Sequence, residues 1–327
     1  MARNKVGLPK PAGKVAAKAK GKPRAPLYMP PRAAFLEPER QDADRPEAAR
    51  AVVIPFGLEA SVSYGHGTRH GPAAILKASH ALELFDEELW CEPYLDWGVA
   101  TLRVPKIASP NAAALTQLAG IVETVLDQGR FPLTLGGEHA LTAGAIRPFA
   151  QRFPDLVVLQ LDAHADLRDG YQGEEFSHAA AMRRLLDVVP DTGAISLVQV
   201  GIRAISAGEI PFLRSHSHRI RVFWGKDRKL WDIEQMVAPL AGRPVYITFD
   251  VDALDPSIMP ATGTPEPNGL AFDDALAILK RACEVGTVVG ADIVELAPMA
   301  GYHAADYTAA RLAYKILSYA LRRPDPG

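Results

Sequence analysis

Residues 156–166 read Leu-Val-Val-Leu-Gln-Leu-Asp-Ala-His-Ala-Asp. The first six are apolar except for Gln160, with no alternation between apolar and polar positions. A strand exposed on one face alternates, whereas one covered on both faces reads as a continuous apolar run, the mark of a parallel sheet. The run then ends abruptly in three ionisable residues within five positions, Asp162, His164 and Asp166. In open α/β sheets functional groups collect at the carboxyl ends of the strands, which places these residues where chemistry is expected.

Five further runs have the same character: 51–56 (AVVIPF), 131–135 (FPLTL), 194–201 (AISLVQVG), 244–250 (PVYITFD) and 287–295 (TVVGADIVE). Helical apolar spacing lies between them at 112–127, 176–188, 272–284 and 308–322. Such a β-α-β series predicts one α/β domain over about 45–322: three layers, α/β/α, around a mainly parallel sheet.

Three other runs end in polar clusters. The run 131–135 leads into Gly136-Gly-Glu138-His139, 244–249 into Asp250-Val-Asp252-Ala-Leu-Asp255-Pro256, and the last into Asp292-Ile-Val-Glu295. Residues two apart on a strand share a face, so Asp162, His164 and Asp166 are expected to converge, as are Asp250 and Asp252. Carboxylates brought together away from water repel and carry a desolvation cost of several kcal/mol per ion unless paired. Lys and Arg are scarce in these segments, which makes a metal the better partner. Four Asp and two neutral His balance two divalent cations, and an Asp/His set without sulfur suits Mn²⁺, or less specifically Fe, Co, Ni or Zn.

Composition narrows the alternatives. The 327 residues include 36 Lys+Arg and 38 Asp+Glu, with 48% hydrophobic and 23% charged residues, ordinary values for a globular protein. Of the 36 basic residues nine fall in 1–36, which contains no acid, leaving 27 against all 38 acids in 37–327. Residues 1–36 are therefore read as a basic, solvated, unstructured tail on an acidic catalytic body, 37–327. A weak contact of this tail with nucleic acid or an anionic surface is the sharper alternative, and nucleic acid is not the expected main partner. No run reaches 18 apolar residues and the start lacks a secretory core, so no membrane span is expected. Cys91 and Cys283 stand far apart with no metal-type spacing, which fits a reducing, cytoplasmic location.

At the polar strand ends the chain resembles the ureohydrolase family of arginases and agmatinases. The matching segments are 136–139 (GGEH), 162–166 (DAHAD), 249–256 (FDVDALDP) and 261–270 (ATGTPEPNGL), and the resemblance runs from 63–72 (SYGHGTRHGP) to the last helix. Thr264-Pro-Glu-Pro, Phe176-Ser-His178-Ala and Met182-Arg-Arg184 lean to the agmatinase branch. The Asn-x-His-Gly run with which arginases help hold an α-amino acid is missing.

The resemblance implies an arginase-like fold, two Mn²⁺ per subunit, and assembly as homotrimers or homohexamers. Carried over by position, His139 and Asp166 bind one manganese, Asp162 and Asp250 bridge, and His164 and Asp252 complete the second. The implied reaction is hydrolysis of a guanidino compound to urea and an amine, agmatine to putrescine first. Guanidinobutyrate, guanidinopropionate, aminopropylagmatine, arginine or formiminoglutamate are the alternative substrates.

Asp166 counts among the catalytic residues with Glu295, placed to hold the planar guanidinium, and His178, placed as a proton shuttle or substrate contact. Glu138 and Thr142 are expected to support the His139 loop, Asp255 to form a turn, and His66 and His70 to serve loop structure. Selectivity is expected from loops 64–72, 167–178 and 203–209.

Overall fold

The computed structural model describes residues 28–104 and 106–322. Eight strands form one sheet: β1 (Ala51–Phe56), β2 (Val99–Thr101), β3 (Phe131–Gly136), β4 (Val157–Leu161), β5 (Leu197–Ile202), β6 (Ile220–Trp224), β7 (Pro244–Asp250) and β8 (Thr287–Val294). Every pairing is parallel, and the order is β2-β1-β3-β8-β7-β4-β5-β6. The six expected strands are all present. The two that sequence patterning did not single out are the edges, β2 with three residues and β6 with its half-exposed Arg-Val-Phe-Trp.

Alternate residues of the central strands feed two apolar layers. Val53, Leu133, Leu159, Ile247 and Ile293 pack under the helices Gly71–Ser79, Phe272–Val285 and Ala304–Leu321. Val52, Ile54, Val158, Tyr246 and Val294 pack against Asn111–Asp127, Arg147–Arg152 and Ala181–Leu186. Both faces are thus covered, which is why the strands read as unbroken apolar runs. The helix expected over 176–188 is shorter and begins as a tight 3₁₀ turn at His178–Ala180.

The expected tail extends into the body. Residues 1–27 lie outside the described residues, but Phe35 and Leu36 are fully buried in the core and Tyr28 bridges to Leu102. The packed chain therefore starts before residue 37, because these apolar side chains bury against the helix Gly71–Ser79: the Leu36 backbone N–H donates to Ser79 Oγ at 2.8 Å. Among the described residues no helix is long and apolar enough to cross a membrane.

Candidate metal centre and active site

Four adjacent central strands, β3, β8, β7 and β4, deliver the polar clusters to one place at their carboxyl ends. The convergence is not the simple same-face arrangement expected from strand periodicity. β4 stops at Leu161 and β7 at Asp250, so apart from Asp250 these two clusters lie in the turns that follow. Asp250 caps a 3₁₀ turn, Val251–Ala253, by accepting the Asp252 N–H at 2.8 Å. Asp162 accepts the His164 N–H at 2.6 Å, and Asp166 turns back into the site with a φ of +51°, a left-handed conformation that costs a non-glycine residue energy.

The structure brings all six expected ligand residues together. His139 Nδ1 lies 3.1 Å from Asp162 Oδ2, 3.0 Å from Asp166 Oδ2 and 3.4 Å from Asp250 Oδ2. His164 Nδ1 lies 2.9 Å from Asp252 Oδ2 and 3.7 Å from Asp162 Oδ1. The donor atoms form two groups, His139/Asp162/Asp250 and Asp162/His164/Asp252, each with all its atoms within 4.8 Å of one another. Asp162 belongs to both groups.

Electrostatics describes the same crowding. Burial, then the charges of Asp252 and Asp162, push the Asp250 carboxyl well above its ordinary value. Burial and the Asp162 charge push Asp166 up to about 6. Burial alone would lower the two histidines, but the surrounding carboxylates outweigh it, raising His139 well above its usual range and His164 to about 12. The cluster calls for positive charge.

The hydrogen bonds around His139 tell what kind. Asp292 accepts from Thr248 Oγ1 at 2.7 Å, Thr142 Oγ1 at 2.9 Å and Tyr246 Oη at 2.7 Å. The single Thr248 hydroxyl proton is thereby committed to Asp292. Its oxygen, 2.9 Å from His139 Nε2, must accept from an Nε2–H. In the neutral ring that fixes the tautomer as Nε2–H, so Nδ1 is the nitrogen that takes a proton or a cation from the side of the carboxylates. Nδ1 is buried and faces three carboxylate oxygens, none of them aligned as a hydrogen bond. A buried nitrogen lone pair among carboxylates, its ring locked through the opposite nitrogen, fits a divalent cation.

Glu295 directly follows β8 with a φ of +66° and is knitted to the His139 turn. Its N–H donates to the Gly137 carbonyl at 2.8 Å, and its Oε1 accepts the His139 N–H at 2.6 Å. Gly137 is required here, since a Cβ would sit 1.9 Å from the Leu58 carbonyl oxygen. Glu295 and His178 both line a cavity of about 300 Å³ above the histidine–carboxylate cluster. Burial, then the positive charges of His139 and His164, lower the His178 ring to about 4.

Other expectations resolve as follows. Thr142 supports His139 through Asp292, but Glu138 points the other way, to the backbone of Ala60 and Ser61. Asp255 forms a turn, accepting the N–H groups of Ser257 and Gly269 at 3.0 Å each. His66 and His70 do not line the cavity, and loop 64–72 contributes nothing to its wall. Arg168, Tyr171, Ile205, Ser206 and Glu209 from the other two loops do, together with Ser63 and Thr264. Thr248 and Tyr246 were missed, although both precede Asp250 at two-residue steps on the same strand face, a detectable signal.

Comparison with known proteins gives the same reading. The model of the arginase family matches residues 49–320. An N(1)-aminopropylagmatine ureohydrolase of Synechocystis sp. is 36% identical over 83% of this chain and 89% of its own. The agmatinase of Bacillus subtilis is 33% identical over 79% of this chain and 87% of its own. The crystal structure of an agmatine ureohydrolase of Thermoplasma volcanium superposes with a TM-score of 0.75 at 29% identity, covering 84% of this chain and 90% of that one. With that family match extending over most of the body, and with relatives of this kind, the chain belongs to the arginase family and is an enzyme of its agmatinase-like ureohydrolase branch.

Proposed function

We propose that this enzyme hydrolyses agmatine to putrescine and urea, with two Mn²⁺ per subunit. His139, Asp166, Asp162 and Asp250 would hold one ion, and His164, Asp252 and the same two shared aspartates the other. The observation that carries the reading is the buried Nδ1 of His139 facing three carboxylate oxygens beside Glu295. Bound there, the cation pair would neutralise the carboxylates and lower the pKa of a water towards neutrality, so that it can act as a nucleophile.

The protein groups do the rest. Glu295 keeps one oxygen on the His139 N–H and has the other for the substrate guanidinium, a charge-assisted contact that holds the plane. The water oxygen adds to the guanidinium carbon, the bond from that carbon to the alkyl nitrogen breaks, and one proton is transferred to the departing amine. His178, half-buried on the cavity wall and neutral near pH 7, suits taking that proton from the adding water oxygen and passing it to the amine.

A second reading keeps the chemistry and changes the tail of the substrate. Arg168 lines the cavity with its guanidinium 4.8 Å from the Tyr171 ring centroid, a cation suited to a guanidino acid. Glu209, the carboxylate in the same wall, spends its oxygens on Leu167 N–H at 2.9 Å and on the Ser206 N–H and hydroxyl at 2.7 Å each. Urea release from agmatine, aminopropylagmatine, guanidinobutyrate, guanidinopropionate and arginine decides between them. Agmatine is expected to give the highest kcat/KM, and a guanidino acid surpassing it overturns the first reading. A homotrimeric or homohexameric assembly in the cytoplasm completes the proposal.

A further inference from the structure

One buried carboxylate at the site is unused by the chemistry above. Glu138 is fully buried next to His139, yet its side chain turns away from the metal cluster. Its Oε2 accepts the N–H groups of Ala60 at 2.8 Å and Ser61 at 2.7 Å, and its Oε1 accepts the Ser61 hydroxyl at 2.8 Å. Ser61 Oγ in turn lies 3.0 Å from the His178 backbone nitrogen and 3.3 Å from His178 Nδ1.

A serine hydroxyl has one proton and two lone pairs. The proton is committed to Glu138: burial raises this carboxyl, but two backbone N–H groups and the hydroxyl all point at its oxygens, the pattern that holds a carboxylate ionised, and a carboxylate can only accept. Both lone pairs are then left for His178: one takes its backbone N–H, the other must take a proton on Nδ1. In a neutral imidazole a protonated Nδ1 leaves Nε2 as the acceptor. Nε2 is the nitrogen 3.4 Å from the exposed hydroxyl of Ser63, a residue that lines the cavity with His178.

We infer that Glu138 is a positioning residue which, through Ser61, fixes His178 as the Nδ1–H tautomer and so presents a basic Nε2 to the reacting groups. The relay joins three distant points of the chain: a serine of the 58–63 segment, the turn after β3 and the start of the 178–180 turn. A purely structural Glu138 would need only the two backbone contacts. The third contact, to the hydroxyl, is the one that carries direction.

Glu138→Gln tests this with little change of shape. The amide oxygen can keep the two N–H contacts, but the amide NH₂ then donates to Ser61 Oγ. The serine proton is displaced towards His178 Nδ1, and the stable tautomer becomes Nε2–H. The readout is the pair of ring ¹⁵N shifts of His178 in the full-length, histidine-labelled protein loaded with diamagnetic Zn²⁺, identified by its loss in His178→Asn. Unaltered protein is expected to show a protonated Nδ1, and Glu138→Gln a protonated Nε2.

In the Mn²⁺ enzyme kcat is expected to fall about 100-fold in Glu138→Gln, the scale of a lost general base, with KM and metal content little changed. Ser61→Ala is expected to lose a similar factor and Ser61→Thr, which restores the hydroxyl, to recover it; this pair also decides the matter if Glu138→Gln does not fold. An Nδ1–H signal persisting in Glu138→Gln, or equal kcat for Ser61→Ala and Ser61→Thr, overturns the relay. The kinetic arm rests on the ureohydrolase reading, but the tautomer does not: absence of urea from the unaltered enzyme would sink that reading and leave the ¹⁵N result standing.

Discussion

At the scale of single residues the account rests on charge. Four aspartates and two histidines share one buried cluster, and Asp162 stands in both candidate metal groups. Asp162→Asn or His164→Ala is therefore expected to lose metal and nearly all activity while the fold persists, checked by elemental analysis, urea release and circular dichroism on the same sample. A metal-replete, active Asp162→Asn protein would contradict the site. Glu295→Gln keeps an oxygen for the His139 N–H but removes the charge offered to a guanidinium. The loss of a charge-assisted contact worth about 1.5–3 kcal/mol predicts a drop in kcat/KM of roughly 10- to 100-fold, with metal content retained. The ionisable residues were legible in the sequence because a buried strand has no packing reason to end in Asp-Ala-His-Ala-Asp. Ser61 was not: a serine is common in any loop, and its value comes from a partner 117 positions away.

At the scale of elements, the final helix, Ala304–Leu321, shows how a charge can be part of a core. Lys315 is almost fully buried, its ammonium 3.0 Å from the buried Asp86 and 3.2 Å from Glu87. Burial would raise the Asp86 carboxyl, but the Lys315 ammonium and the N–H groups of Leu89 and Glu88 outweigh it and hold it below its usual value. A carboxyl with a depressed folded pKa stabilises fully above its unfolded pKa of about 3.9, and this contribution is lost as pH falls through the lower, folded value. Lys315→Met leaves Asp86 buried without its cation. It is expected to cost about 3–5 kcal/mol near neutral pH, a difference that shrinks as pH falls and Asp86 takes up a proton, measured by denaturant titrations of the circular dichroism signal at neutral and at acid pH. An unchanged midpoint in both titrations would show that the pair does not dock the helix. Elements whose burial is two-sided were legible, as the six central strands show. Those whose pattern is short or half-exposed were not: β2 has three residues, β6 shows one buried position in five, and the helix Gly71–Ser79 opens on Gly-Pro.

At the scale of the whole molecule, the strand order β2-β1-β3-β8-β7-β4-β5-β6 is what turns separate motifs into a site. The four polar strand ends come from positions about 130 to 300, and only the insertion of β8 and β7 between β3 and β4 makes them neighbours. That order has no local signature, so periodicity revealed the strands but not which of them touch. Because the cluster ties four strands together, cations that bind only the folded state stabilise the whole sheet by mass action. Stripping metal with a chelator is expected to lower Tm, and adding Mn²⁺ to raise it in a concentration-dependent way; a Tm indifferent to both would separate the cluster from metal binding. The most direct test of the central claim is urea release by the full-length enzyme, before chelation, after it, and after Mn²⁺ is restored, with agmatine and the other guanidino compounds as substrates. Urea and amine formed in equal amounts, lost on chelation and recovered with Mn²⁺, is the predicted result. No urea from any of these compounds at full metal occupancy would contradict it.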